Sequence, residues 1–206
     1  MYKKLIIAFE GIEGSGKSLH IRNVSNYLKR KKISFIKIRE PGGSQNSEKI
    51  RKLILNNKSN FNNKTDLLLY LAARSENFDK IISKNYRKKI ILIDRFTDST
   101  IAYQHYGMKI SKKIIKILNS FILKSIKVDY TFLHTVNITN LKKRLNKRKK
   151  LNRYDNFNYS FYKNVQKGYL KEFKLNKKRY LIINSNNKIN DNKIIVLNRV
   201  KKLLNI

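Results

Sequence analysis

The sequence predicts an α/β fold: a five-stranded parallel sheet flanked by helices on both faces. Three observations predict it. Apolar runs of strand length recur along the chain. Amphipathic stretches of helical period separate them. A glycine-rich turn follows the first run directly and opens a helix.

The elements follow in chain order. Residues 5–9 are a continuous apolar run, as expected of a strand buried on both faces. Residues 21–28 carry a helical stripe, and residues 35–38 form the second strand. The Asn- and Lys-rich residues 56–64 read as a loop between helices. A helical pattern at 65–82 precedes the third strand at 90–93, and another at 114–126 precedes the fourth at 130–133. The basic run 142–153 is expected to be a mobile lid. A last helical pattern at 159–173 leads to the fifth strand at 180–183. There is no internal repeat and no Pro/Gly/Ser linker, so residues 1–206 read as a single domain with a lid at about 142–156.

Composition narrows the function. The chain has no cysteine and three histidines, which excludes a disulfide framework and disfavours a zinc site. No apolar run is long enough to cross a bilayer, so a soluble cytoplasmic protein is expected. The net charge is +35, which could serve a nucleic-acid surface. However, the lysines are spread along the chain, and Lys, Asn and Ile are abundant where Pro occurs once and Trp never. That is the bias of an A/T-rich coding sequence, and no nucleic acid is required as a partner.

The glycine turn carries the first chemistry. Gly11-Ile12-Glu13-Gly14-Ser15-Gly16-Lys17-Ser18 fits G-x-x-x-x-G-K-[ST], between a strand and a helix. Such a loop turns its backbone N–H groups and the helix N-terminus toward phosphate. Lys17 would reach the β- and γ-phosphates of ATP, and the Ser18 hydroxyl would bind Mg²⁺. The Glu13 carboxylate could reach a sugar hydroxyl or a metal-bound water. Asp94-Arg95 follows the third strand, where Asp94 would sit near the metal and Arg95 would clamp an acceptor phosphate. Tyr70 and Arg74 stand four apart on one helix face, where a ring could lie on a base and a guanidinium could donate to its edge.

Taken together, seven motifs in fixed order give a resemblance to bacterial thymidylate kinases over nearly the whole chain. They are FEGIEGSGKS from Phe9, REPGG from Arg39, EKIRK from Glu48, AAR from Ala72, DRFTDSTIAYQ from Asp94, NRYD from Asn152 and VQKGYL from Val165. The resemblance implies ATP and dTMP as substrates, Mg²⁺ as cofactor and dTDP as product. It implies that Arg74 meets thymine O4, that Tyr70 lies on the base, and that Glu40 and Pro41 line the base pocket. It places Arg51 with Arg95 on the dTMP phosphate, Thr100 and Gln104 on the pyrimidine, and Tyr103 near the deoxyribose. The phosphate loop holds no arginine, so a lid arginine is expected to stabilise the transition state: Arg153 first, Arg148 second, with Arg144 nearer the adenine. The family habit also implies a homodimer. His105 departs from the pattern, standing where glycine is usual.

Overall fold

The structure, a computed structural model, describes residues 2–206. Among these, five strands form one parallel sheet in the order β2-β3-β1-β4-β5. The strands are β1 (Ile6–Gly11), β2 (Phe35–Arg39), β3 (Ile90–Asp94), β4 (Tyr130–Thr135) and β5 (Tyr180–Asn184). All five coincide with the predicted runs, each extended toward its carboxyl end. The helices are α1 (Lys17–Arg30), α2 (Gln45–Leu55), α3 (Asn63–Asn77), α4 (Ser83–Asn85), α5 (Thr97–Thr100), α6 (Lys112–Leu123), α7 (Ile138–Asn146), α8 (Tyr159–Leu175) and α9 (Ile189–Leu204).

Both faces of the central strands β1, β3 and β4 are covered, which is why they read as largely apolar runs. Ile7, Phe9, Leu92 and Phe132 pack under α1 and α9 with Val24, Leu28, Val196 and Val200. The alternate residues Ile6, Ala8, Ile91 and Ile93 face the opposite layer, with Ile82, Phe96 and Leu123. Each of these side chains larger than alanine contributes about 1.5–3 kcal/mol on burial. Asparagine starts several helices: the side chains of Asn62, Asn137 and Asn158 accept N–H groups at the first turns of α3, α7 and α8.

Three differences from the predicted elements matter. The helical pattern at 65–82 is α3 followed by a wider π turn, Phe78–Ile82. α7 and α9 lie outside the predicted helices, because Lys and Asn dilute their apolar stripes. The expected lid begins inside α7 and ends at a 3₁₀ turn, Arg153–Asn156, capped by Asn152.

Strand register brings the site to one edge. Phe9 and Arg39 both pair with Asp94, and Gly11 pairs with His134. The residues just past these positions therefore gather at the carboxyl ends of the central strands, where open α/β sheets bind ligands.

Candidate active site

The phosphate loop is built by backbone geometry before any side chain acts. Gly16 caps α1 with a φ of 85°, a left-handed value that costs glycine little. A Cβ on Gly11 would stand 2.2 Å from the His134 carbonyl oxygen, so only glycine lets β1 and β4 approach there. Lys17 folds over the loop and donates to the carbonyls of Gly11 and Ile12, both at 2.9 Å. Burial, then the nearby Arg95 guanidinium, lowers its ammonium to about 8. Ser18 donates to Asp94 Oδ2 at 3.1 Å. Those two oxygen ligands suit a hard cation that keeps waters and phosphate oxygens for its other positions. Ser185 braces the loop by donating to Ser15 O at 2.7 Å.

Arg95 leaves β3 in the left-handed region, at a φ of 65°. That conformation costs a non-glycine residue about 1–2 kcal/mol. It turns the side chain toward the phosphate loop, where Nη1 donates to Gly11 O at 2.8 Å and Nη2 to Glu13 Oε1 at 2.6 Å. The Tyr103 hydroxyl donates to the other Glu13 oxygen, and the Arg95 guanidinium lies 5.0 Å from the Tyr103 ring centre. Behind the turn, Glu10 Oε1 accepts from Phe96 N at 2.8 Å and Ser99 N at 3.3 Å. Its other oxygen accepts from the hydroxyls of Ser99 and Tyr169. Burial first, then Asp98, raises the Glu10 carboxyl to about 7.

A narrow pocket of about 20 Å³ opens beside this cluster, lined among others by Tyr70, Arg74, Thr100, Gln104 and Tyr154. Arg74 is 1% exposed and carries its charge against Glu40, with Nε at 2.8 Å and Nη2 at 2.6 Å from Oε2. Burial pushes the Glu40 carboxyl up, against the pull of that guanidinium. Thr100 Oγ1 accepts from Arg74 Nη1 at 2.9 Å. Glu40 Oε1 and Gln104 Nε2, an acceptor and a donor, are buried and find no partner among the described residues. Both residues line the pocket, so a ligand there would satisfy them by supplying a donor and an acceptor. Thr100 ends α5, and Tyr103 and Gln104 ride on the π turn Ile101–Gly107, a geometry that recurs at functional sites. Pro41 is buried at the head of the loop, and its carbonyl accepts from Arg51 Nη1 at 2.6 Å.

The lid arginines separate. Arg144 Nη1 donates to Gly14 O at 2.8 Å and Nη2 to Ser185 O at 2.5 Å, so it borders the phosphate loop and the turn after β5. Arg153 turns to α2 and α3, donating to Ile54 O at 3.1 Å and pairing with Asp66. The structure does not bring it to the phosphate loop. Arg148 pairs with Asp155.

Sequence reasoning assigned no role to Phe96, Ser99, Asn119, Tyr154 or Tyr169, which touch the predicted residues, or to Glu10, which anchors Ser99 and Tyr169 behind them. Glu10 carried a signal, being a charge at the end of an otherwise apolar strand. The reading that the chain carries no N-K-x-D guanine signature is wrong, since Asn63-Lys64-Thr65-Asp66 has that spacing. Here it starts α3, and Asp66 is taken by Arg153 and Tyr154. His105 pairs through Nδ1 with Ile110 O at 2.7 Å, an internal brace of the π turn.

A parallel sheet with a phosphate loop, an arginine bonded to that loop and a polar pocket beside it defines a P-loop kinase of the nucleoside monophosphate type. A sequence profile of the thymidylate kinase family matches residues 9–194. The chain belongs to that family. It is 37% identical over 180 residues to the thymidylate kinase of Kosmotoga olearia, covering 87% of this chain and 86% of the relative. It is 35% identical over 205 residues to that of Acholeplasma laidlawii, covering 97% and 100%. The crystal structure of thymidylate kinase from Ehrlichia chaffeensis superposes with a TM-score of 0.78 at 30% identity, covering 97% of this chain and 99% of that one.

Proposed function

We propose that this enzyme transfers the γ-phosphoryl group of ATP to dTMP, forming dTDP and ADP in the cytoplasm for dTTP synthesis and DNA replication. One observation carries the reading: Arg95 bonds directly to Gly11 and Glu13 of the phosphate loop. A phosphate held by that guanidinium would lie against the end of a triphosphate cradled by the loop. Family membership supports dTMP as the acceptor.

Transfer is chiefly a matter of positioning and charge. An oxygen of the dTMP phosphate bonds to the γ-phosphorus while the bond to the β-bridging oxygen breaks. Lys17 would leave its carbonyl partners for the β- and γ-phosphates. Arg95, with Arg51, would offset the repulsion between the two anions. Tyr103 and Glu13, joined by a hydrogen bond, would receive the deoxyribose. Tyr70 would lie on the base, whose edge meets Arg74, Thr100 and Gln104, with Glu40 and Pro41 closing the pocket. Arg144 would border the adenine. Ser18 and Asp94 would hold Mg²⁺, which when bound neutralises charge on the β- and γ-oxygens. Both lid arginines are paired, but Arg148 is favoured for the transition state, because its partner Asp155 belongs to the lid while Arg153 is drawn to Asp66 on α3. Residues 142–156 would act as the lid of a single domain, closing to exclude water.

Leu53, Leu68, Ile114, Ile117 and Phe121 are exposed on α2, α3 and α6, with Phe121 82% accessible. This face supports a homodimer, and solution scattering that returns a 24.5 kDa monomer would contradict it. Among the described residues no helix is long and apolar enough to cross a membrane. An ADP-release assay with dTMP, dUMP, dCMP, AMP and single-stranded DNA tests the whole reading. Turnover should appear with dTMP first, while turnover stimulated by DNA alone would replace a nucleotide kinase with a nucleic-acid-dependent ATPase.

A further inference from the structure

Helix α6 buries three residues, Ile115, Asn119 and Leu123, four apart on one stripe. The middle one breaks the apolar pattern. Leucine there would have the higher helix propensity and would bury more apolar surface. A buried amide is tolerated only when bonded, and this one is. Asn119 is 8% exposed, and its Oδ1 accepts from Arg74 Nη1 at 2.5 Å.

Counting the five N–H groups of Arg74 shows what that bond does. Nε–H and one Nη2–H go to Glu40 Oε2. The two Nη1–H groups go to Thr100 Oγ1 and Asn119 Oδ1. Phe96 lies beneath the guanidinium, 5.0 Å from ring centre to Cζ. One Nη2–H remains in a residue that lines the base pocket. Without Asn119, Nη1 would keep a spare donor, and that arm of the fork would be held by Thr100 alone.

We propose that Asn119 is a positioning residue for base specificity: it holds the Arg74 fork so that a single N–H, on Nη2, is presented to the base, demanding a carbonyl there and disfavouring an amino group. This rests on Arg74 being the group that reads the base edge. Thymine and cytosine differ at that edge as acceptor and donor.

The test measures kcat and KM for dTMP and dCMP, with thermal melting, in Asn119→Leu, Asn119→Asp and Arg74→Lys. Asn119→Leu should lower the dTMP-to-dCMP ratio of kcat/KM by about tenfold or more, the value of one hydrogen bond to a charged group. The loss should lie in KM for dTMP, because the contact serves ground and transition states alike. Asn119→Asp keeps the acceptor oxygen and should keep the ratio. A folded Asn119→Leu enzyme with a lower melting temperature and an unchanged ratio would reduce Asn119 to a structural residue and overturn the proposal. So would a lowered ratio in Asn119→Asp, which decides the matter should the leucine variant not fold. Arg74→Lys separates the two levels. If it lowers the ratio while Asn119→Leu does not, only the positioning role fails. If Arg74→Lys leaves the ratio unchanged, base reading by Arg74 fails and the proposal with it.

Discussion

Arg95 and Glu13 meet at 2.6 Å across the boundary between β3 and the phosphate loop. The cation is already desolvated and aimed before any nucleotide arrives. The carboxylate holds it where a phosphate can take over one face of its fork. Removing it should therefore damage use of the acceptor more than use of ATP. Arg95→Ala is expected to raise KM for dTMP about 10- to 100-fold, the equivalent of the 1.5–3 kcal/mol of a charge-assisted bond. Steady-state kinetics with each substrate varied in turn checks this. An unchanged KM and kcat for dTMP would remove Arg95 from the acceptor site.

Lys17 gives ATP binding a pH dependence. In the free enzyme its ammonium is lowered to about 8, so it loses its proton as pH rises through that value. The bound triphosphate favours the charged form. Affinity for ATP should be level below pH 8 and fall above it, approaching tenfold per pH unit for one linked proton. Calorimetric titration across pH 7 to 9.5 reads this directly. A flat profile would mean that Lys17 stays charged throughout.

The two lid arginines make opposite predictions. Arg148→Ala should lower kcat by about 10³- to 10⁵-fold, the range for a transition-state arginine in related P-loop enzymes. Arg153→Ala should stay much closer to wild type and show its effect in stability, because it breaks the pair with Asp66. Single-turnover rates separate chemistry from release. The reverse order would return the catalytic role to Arg153.

Glu10 links stability to pH. Its carboxyl is raised from 4.5 to about 7, so between those values the folded chain holds a proton that the unfolded chain has lost. Its contribution to stability is therefore full below pH 4.5 and declines as pH rises to about 7. Glu10→Gln keeps the shape and removes the titration. Compared with this variant, the wild type should melt relatively higher at pH 5 than at pH 7.5. An equal difference at both pH values would show that Glu10 ionises normally.

The residues that were legible in the sequence are those whose type and spacing suffice. Five strands announce themselves as largely apolar runs, of which the edge strands β2 and β5 are only partly buried, and the Gly11 to Ser18 loop is specified by its glycines and Lys17. The pocket beside Arg74 could be read as a list of residues but not as a network. That Arg74 is saturated on all but one N–H depends on Asn119, 45 positions away on another helix. Spacing along the chain cannot show that contact. The choice between Arg148 and Arg153 failed to resolve for the same reason. Both lie in one basic run, and their acidic partners decide where they point: Asp155 nearby and Asp66 on α3.

The most direct measurement follows the phosphoryl group itself. Purified protein is mixed with ATP labelled at the γ-phosphate, dTMP and Mg²⁺, and the nucleotides are separated. The label should appear in dTDP, with little released as inorganic phosphate. Label found only in inorganic phosphate, or left in ATP by a folded protein, would contradict the claim that Arg95 and the phosphate loop hold two nucleotides end to end.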